Sequence, residues 1–466
     1  MASVADLLRT EAARLRPGDR LPSSRALVAR LGVSPVTVSR ALARLAAEGL
    51  VVTRPGSGTF VAERPRGVRA RRPADHGWQA VALGDRAVDP GGVAALLTPP
   101  PEGVIAMGGG YLPASLQPLQ ALATAAARAA RRPDAWERPP LAGIGGLRAW
   151  FARAVGGEIT PADVLITGGG QQAIGIALRA MLAPGAPLLV ESPTYQGVLS
   201  AARAAGLHTV PVPVDGSGVR PDLLADAFAM TGARAFYCQP TFHNPTGAVL
   251  SPDRREQVLS VARAAGAFVI EDDFARHLAI EPAPPPLAAD DPDGRVVHIS
   301  SLTKAAAPSL RIAALIARGP VAERLRALQV VDSFFPARHL QETALDLVSS
   351  PAWERHRRTV RAALRERRDA LAAALARELP GLAFESPRGG QHLWARLPDG
   401  VDDVALADAA LCEGVVVNAG RPYFPAEPDG AYLRIGYAMA ASVAELAEGV
   451  RRLARALDGY SLGARR

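Results

Sequence analysis

A chain of 466 residues, 48% hydrophobic and 21% charged, is long enough to bury a large core and to divide into more than one domain. Its two cysteines, Cys238 and Cys412, lie far apart with no second Cys or His at ligand spacing, which excludes a disulfide framework and leaves no metal site in the pattern. The net charge of +8 fits a nucleic-acid partner, and no apolar run is long enough to cross a bilayer, so the expectation is a cytoplasmic protein without a membrane partner.

Residues 1–64 pattern as three short helices followed by a hairpin. The first, roughly Ala5 to Leu15, places Leu7, Leu8, Ala12 and Leu15 near one face and ends at Pro17-Gly18. A second begins at Ser23, whose hydroxyl can cap SRALVARL, and stops at Gly32. The third begins at Ser34, has Pro35 in the favoured first position and runs towards Gly49. Then VVT and TFVA are short β-branched runs around RPGSG, a turn sequence. Residues 65–95, opening RPRGVRARRPADHG, mix arginine with Pro and Gly and read as a basic linker.

From residue 96 to 466, β-rich runs alternate with Ala/Leu/Arg helices: DVLIT, PLLVES, ARAFYCQ, AFVIEDD, RVVHIS and RIAALIA all sit between helical stretches. That alternation predicts an α/β domain, a mostly parallel sheet with helices on both faces, over a large part reaching to about 335. From about 336 to 466 a long helix precedes LAFE, HLWARL, VVVN and YLRIGYA, which predicts a smaller α+β part.

The stretch GDRLPSSRALVARLGVSPVTVSRALARLAAEGLVVTRPGSGTFVA resembles the GntR family of bacterial regulators nearly from end to end. The resemblance implies a winged helix-turn-helix that binds double-stranded DNA. The third helix would lie in the major groove and offer Ser34, Thr37, Ser39 and Arg40 to bases or phosphates. Ser23, Arg25, Gly56 and Gly58 would meet the DNA backbone. Ten arginines against five acids up to residue 64 concentrate positive charge there. Many members of the family carry an arginine just after the serine that opens the third helix; here that residue is Pro35.

Of the 53 lysines and arginines only one is a lysine, Lys304. A composition that has turned every other basic position into arginine makes the survivor informative. A guanidinium stays protonated, whereas an ε-amine can lose its proton and attack a carbonyl, and Schiff-base formation with an aldehyde is the leading task of that kind. The surroundings suit such a role. Ser301, Thr303 and Arg311 in the same loop offer two hydroxyls and a forked cation to a phosphate. In ITGGGQQAIGIAL a strand runs through glycines into a helix, so that the amides of Gly169, Gly170 and Gln171 would point at an anion. Asp272 lies one residue before the end of AFVIEDD, where a carboxylate would hold a pyridine nitrogen protonated, and Asn244 ends another strand. These groups follow the carboxyl ends of successive strands, the edge at which open α/β sheets bind ligands.

On these motifs the chain from about 96 onward resembles fold-type I pyridoxal 5′-phosphate (PLP) aminotransferases. With the N-terminal module it resembles the MocR subfamily of GntR regulators. The resemblance implies that Lys304 is the aldimine lysine and that Asp272 pairs with the pyridine nitrogen. It has Asn244 bond the ring hydroxyl, Tyr195 stack on the ring, and Ser301, Thr303 and Arg311 hold the phosphate. Arg434, in AYLRIGYA, matches the arginine that grips an effector α-carboxylate. Two departures stand out: Phe274 occupies a position where tyrosine is common, and Gly168 and Gly170 replace hydroxyl residues of the phosphate loop. Fewer side-chain bonds to the cofactor weigh against efficient turnover more than against PLP binding.

The function these features imply is a homodimeric, PLP-dependent transcription regulator that senses an amine, an amino acid or a B6 vitamer through an aldimine. An active PLP-dependent aminotransferase with a fused DNA-binding head is the alternative. A repressor answering to free PLP alone is a third reading.

Overall fold

The computed structural model describes residues 4–62, 75–83 and 90–463. Much of the segment read as a basic linker therefore lies outside the described residues. The chain forms two compact units, Met1–Arg86 and Ala87–Arg466.

In the first unit helices span Val4–Arg14, Ser24–Leu31 and Pro35–Ala47, and a hairpin pairs Val51–Arg54 with Gly58–Val61. The caps act as the sequence implies. Ser23 Oγ accepts from the Ala26 amide, Ser34 Oγ accepts from the Thr37 amide, and Gly32 closes its helix in the left-handed conformation that only glycine adopts cheaply. Leu8, Leu27, Val38 and Leu45 are fully buried together, each stabilising the module by roughly 2 kcal/mol through removal from water. Leu7, expected on the inner face, is 47% exposed; Ala5, Leu8 and Ala12 form that face instead.

The second unit is built on an eight-stranded sheet. Its order is Val164–Thr167, Ala313–Ile316, Val296–Ser301, Phe268–Asp273, Ala235–Cys238, Pro187–Ser192, His208–Asp215, Gly218–Val219. The five strands from Val296–Ser301 to His208–Asp215 run parallel; Ala313–Ile316 is antiparallel to both its neighbours. The inner strands are buried along nearly their whole length and open on apolar residues, as FVI does in FVIEDD and VV in VVHISS, whereas His208–Asp215 is mostly exposed or half-buried. His208–Asp215 escaped the sequence reading because Pro211 and Pro213 interrupt it. Among the described residues only the two-residue strand Gly218–Val219 pairs beyond it, so the missing proline donors face an almost empty edge.

The 28-residue helix Pro351–Glu378 leads into a four-stranded sheet ordered Ala383–Phe384, His392–Arg396, Tyr432–Gly436, Asn418–Ala419. Near the other end of the unit, Ile105–Ala106 pairs in parallel with Val415–Val416, so the loop after residue 106 lies beside this smaller sheet. Two short helices fall on the stretch expected to be linker, Gly77–Leu83 within it and Gly91–Leu97 running two residues past its end. Among the described residues no single helix is long and apolar enough to cross a membrane, and no group of three or more His, Cys, Asp or Glu side chains converges as a metal site.

Candidate functional site

In the first unit Thr37, Ser39 and Arg40 stand exposed on the third helix, below the cap formed by Ser34. Ser23 and Arg25 are exposed at the start of the second helix, and Gly56 and Gly58 shape the hairpin turn. Several arginines here are already neutralised: Arg9 and Arg44 by Glu48, and Arg30 by Glu11. Among the described residues Arg25 and Arg40 have no carboxylate partner. Uncompensated positive charge therefore collects where a nucleic-acid phosphate would be met.

In the second unit one pocket gathers residues from the carboxyl ends of five strands: Gly170 and Gln171, Tyr195, Asn244, Asp272, and Ser301, Thr303 and Lys304. Arg311 and Arg434 line it as well. The Lys304 amine donates to the Gly110 carbonyl at 2.9 Å and lies 3.8 Å from the ring centre of Tyr111. Burial first, then the charges of Arg434 and Arg311, bring the Lys304 ammonium down to about 7, with Asp272 opposing.

Asp272 is fully enclosed. Tyr237 Oη donates to its Oδ2 at 2.6 Å and Gln239 Nε2 at 2.8 Å, yet burial outweighs both and pushes the carboxyl up to about 6. Gln239 Oε1 also accepts from the Asn244 amide at 3.0 Å. Asn244 Oδ1 in turn accepts from Arg434 Nε at 3.0 Å.

Arg434 is 3% exposed and, among the described residues, has no carboxylate partner. Its remaining nitrogens donate to the Gly108 carbonyl and to His392 Nδ1, each at 3.1 Å. A guanidinium can only donate, so His392 accepts as a neutral ring; burial, and after it the Arg434 charge, holds its pKa well below the usual histidine range. An enclosed cation with neutral partners alone is poised for an anion.

The opposite wall has the same character. Gly169 has φ +109°, and a Cβ there would come within 2.5 Å of the Arg311 guanidinium, so a side chain is excluded on conformation and on space. The helix Gly170–Met181 starts at this point and directs its first amides the same way. Ser301 Oγ accepts from the Thr303 amide, while Thr303 Oγ1 is buried without a partner. Tyr195 Oη donates to Gln171 Oε1 at 3.0 Å, and Gln171 Nε2 donates to the Gly197 carbonyl, so the glutamine side chain braces the tyrosine. Phe274 lines the pocket and offers no hydroxyl.

The structure therefore brings together Lys304, Asp272, Asn244, Tyr195, Gly170, Gln171, Ser301, Thr303, Arg311 and Arg434, with Gly169 against Arg311. Sequence reasoning missed Tyr111, Gln391 and the helix residues Val93, Leu96 and Leu97, which line the same pocket, and the Tyr237 and Gln239 bonds to Asp272. Val93, Leu96 and Leu97 have i, i+3, i+4 spacing, but over a helix of seven residues it is too short a pattern to read alone.

A winged helix-turn-helix unit and a second unit with a fold-type I sheet and pocket define a class: a DNA-binding regulator carrying an aminotransferase-like domain. Residues 104–453 match the model for aminotransferase class I and II and residues 2–61 that for bacterial regulatory proteins of the gntR family. The chain belongs to the aminotransferase class I and II family, in the MocR-like arrangement with a GntR head, and that family is PLP-dependent.

The HTH-type transcriptional regulator TauR of Rhodobacter capsulatus is 31% identical over 467 residues, covering 95% of this chain and 93% of its own. The 2-aminoadipate transaminase of Thermus thermophilus is 34% identical over 365 residues, 77% of this chain and 91% of its own. A crystal structure of LysN, the α-aminoadipate aminotransferase of Thermus thermophilus complexed with N-(5′-phosphopyridoxyl)-L-leucine, superimposes with a TM-score of 0.76. That match has 30% identity and spans 82% of this chain and 98% of the other.

Proposed function

We propose that the protein is a cytoplasmic, homodimeric transcription regulator. Residues 1–64 form its DNA-binding domain and residues 65–95 a linker, whose last residues enter the helix Gly91–Leu97 and bring Val93 to the pocket. Residues 96–466 form an effector domain that holds PLP on Lys304 and senses an amine, an amino acid or a B6 vitamer. One observation carries the reading: the single lysine of the chain stands in a pocket between Arg311 and Arg434, two guanidinium groups without carboxylate partners among the described residues, and faces the buried Asp272.

The residues fit PLP. Arg311, the amides at Gly169 to Gln171, Ser301 and the unpartnered Thr303 hydroxyl would take the phosphate, Asp272 the pyridine nitrogen, Asn244 the ring hydroxyl, and Tyr195 the ring face. When bound, PLP supplies an aldehyde carbon that can exchange one amine for another. Arg434 would hold the effector carboxylate. An effector acts on DNA binding through different affinity for two arrangements of the protein.

A spectral titration tests this. Purified protein is expected to show the absorbance of lysine-bound cofactor, Lys304→Ala to lack it, and an effector amine to shift it and to change protection of operator DNA. An unchanged spectrum in Lys304→Ala would sink the role of Lys304. The 34% identity to a named transaminase is the observation that favours a second reading, a working aminotransferase. Steady turnover of an amino acid with a keto acid, without specific DNA protection, would establish it.

A further inference from the structure

Set aside the residues that would hold the cofactor, and the pocket keeps a distinct remainder. Val93, Leu96 and Leu97 occupy one face of the helix Gly91–Leu97, with Tyr111 beside Lys304. Gln391 is 2% exposed, lines the same pocket, and its Nε2 is buried with no hydrogen-bond partner. Arg434 is the one cation of this remainder, and the remainder includes no carboxylate.

Gly110 shows how these groups converge. A Cβ built there would lie 3.5 Å from Lys304 Nζ, 3.7 Å from Arg434 Nη2 and 4.0 Å from Gln391 Oε1. The amine site and the carboxylate site therefore straddle a single carbon-sized space, kept open because residue 110 has no side chain.

From this we infer that the effector is an α-amino acid with an uncharged, mainly apolar side chain. Arg434 holds its carboxylate together with Gln391, whose unpartnered Nε2 takes the place of Oε1 once the amide turns over, and Val93, Leu96, Leu97 and Tyr111 sort its side chain. The inference rests on the cofactor reading above and narrows it. An amine and a carboxylate on one carbon reach both sites at once; a 4-aminobutyrate skeleton would have to fold to do so. Gln391 adds a donor without adding charge, so it strengthens the carboxylate site without further depressing the Lys304 ammonium. A second carboxylate or an ammonium on the side chain would lie against the half-buried Val93 and Leu96 and the 58% exposed Leu97, none of which offers it a partner. A charge held without a partner at such a half-open apolar wall loses part of its hydration and lowers affinity on the order of 10-fold.

The test uses the full-length, PLP-loaded protein titrated with L-norleucine, L-methionine and L-phenylalanine, and separately with L-glutamate, L-lysine and 4-aminobutyrate, following the cofactor spectrum. At least one apolar α-amino acid is expected to act at a concentration about 10-fold below each of the second group. Leu96→Arg should reverse the preference between norleucine and glutamate. Gln391→Leu should weaken norleucine and glutamate alike, by about 10-fold, and leave their ratio unchanged. A charged or ω-amino acid acting at equal or lower concentration than every apolar one, or an unchanged preference in Leu96→Arg, would overturn the inference. Calorimetry of the same panel on cofactor-free protein keeps the two readings apart. Absence of the lysine-bound cofactor spectrum counts against the cofactor reading alone, while the order of affinities still decides the effector class.

Discussion

Because the chain contains one lysine, Lys304 can report its own ionisation. An ordinary lysine titrates near 10.4, so at pH 7 about four in ten thousand of its amines are neutral. With Lys304 brought down to about 7, about half are neutral at that pH, an increase on the order of a thousandfold in the nucleophilic form. The perturbation is pH, applied to cofactor-free protein with a brief pulse of amine-reactive reagent. The assay is mass spectrometry of the peptide around residue 304, with the α-amino terminus as internal reference. Labelling should level off above about pH 8, whereas an ordinary lysine keeps gaining tenfold per pH unit to about pH 10.

Variants give the signs. Arg434→Met removes a positive neighbour and should move the midpoint up; Asp272→Asn removes the opposing negative charge and should move it down. The linkage to stability follows. Between about 7 and 10.5 the unfolded chain binds the proton that the folded chain has lost, so the folded state gains stability as pH rises through that window. Below it the cost of the enclosed ammonium is fully present. A labelling rate that still climbs tenfold per unit at pH 10, or a midpoint that falls in Arg434→Met, would refute the reasoning.

Three other outcomes are expected. Glu271 is fully buried, accepts from the Leu287 and Ala288 amides and lies 2.8 Å from His298 Nδ1, so Glu271→Gln should cost roughly 3 kcal/mol in urea unfolding followed by tryptophan fluorescence. Gly169→Val forces a side chain into a positive-φ position against Arg311 and should weaken PLP binding at least tenfold in equilibrium dialysis; unaltered affinity would remove Arg311 from the phosphate site. Arg25→Ala and Arg40→Ala should each weaken DNA binding similarly across sequences and lower the slope of log affinity against log salt by about one, read by anisotropy at several salt concentrations.

The helix-turn-helix was legible because its signals are local: Ser23 and Ser34 cap within three residues, and Gly32 stops its helix one residue on. The strand ends that carry Asp272 and Lys304 were legible for a related reason, since an apolar run that stops at a polar residue marks its own boundary. What stayed hidden depends on neighbours across the fold. The Tyr237 bond to Asp272 exists because adjacent parallel strands pair Cys238 with Glu271, a register with no trace in either segment alone. Lys304 meets Gly110 across 194 residues of chain. The helix Gly91–Leu97 is too short for its periodicity to stand out from the Pro/Gly-rich segment before it, although its apolar face proved to line the pocket.

That hidden geometry also alters the meaning of the lone lysine. As a matter of composition, Lys304 is the one basic residue that can give up its proton. In the pocket the two arginines that would bind anions are also charges that lower its proton affinity. A lysine in place of Arg434 or Arg311 could itself deprotonate when buried and relieve the pressure on Lys304; a guanidinium cannot. Arg434, Arg311 and the single lysine are thus parts of one arrangement. Its consequence is that anions bound at both flanks would partly neutralise those charges and return the amine towards its ordinary basicity. In the labelling experiment, phosphate together with acetate should therefore raise the Lys304 midpoint, and a midpoint that does not move would separate the anion sites from the amine.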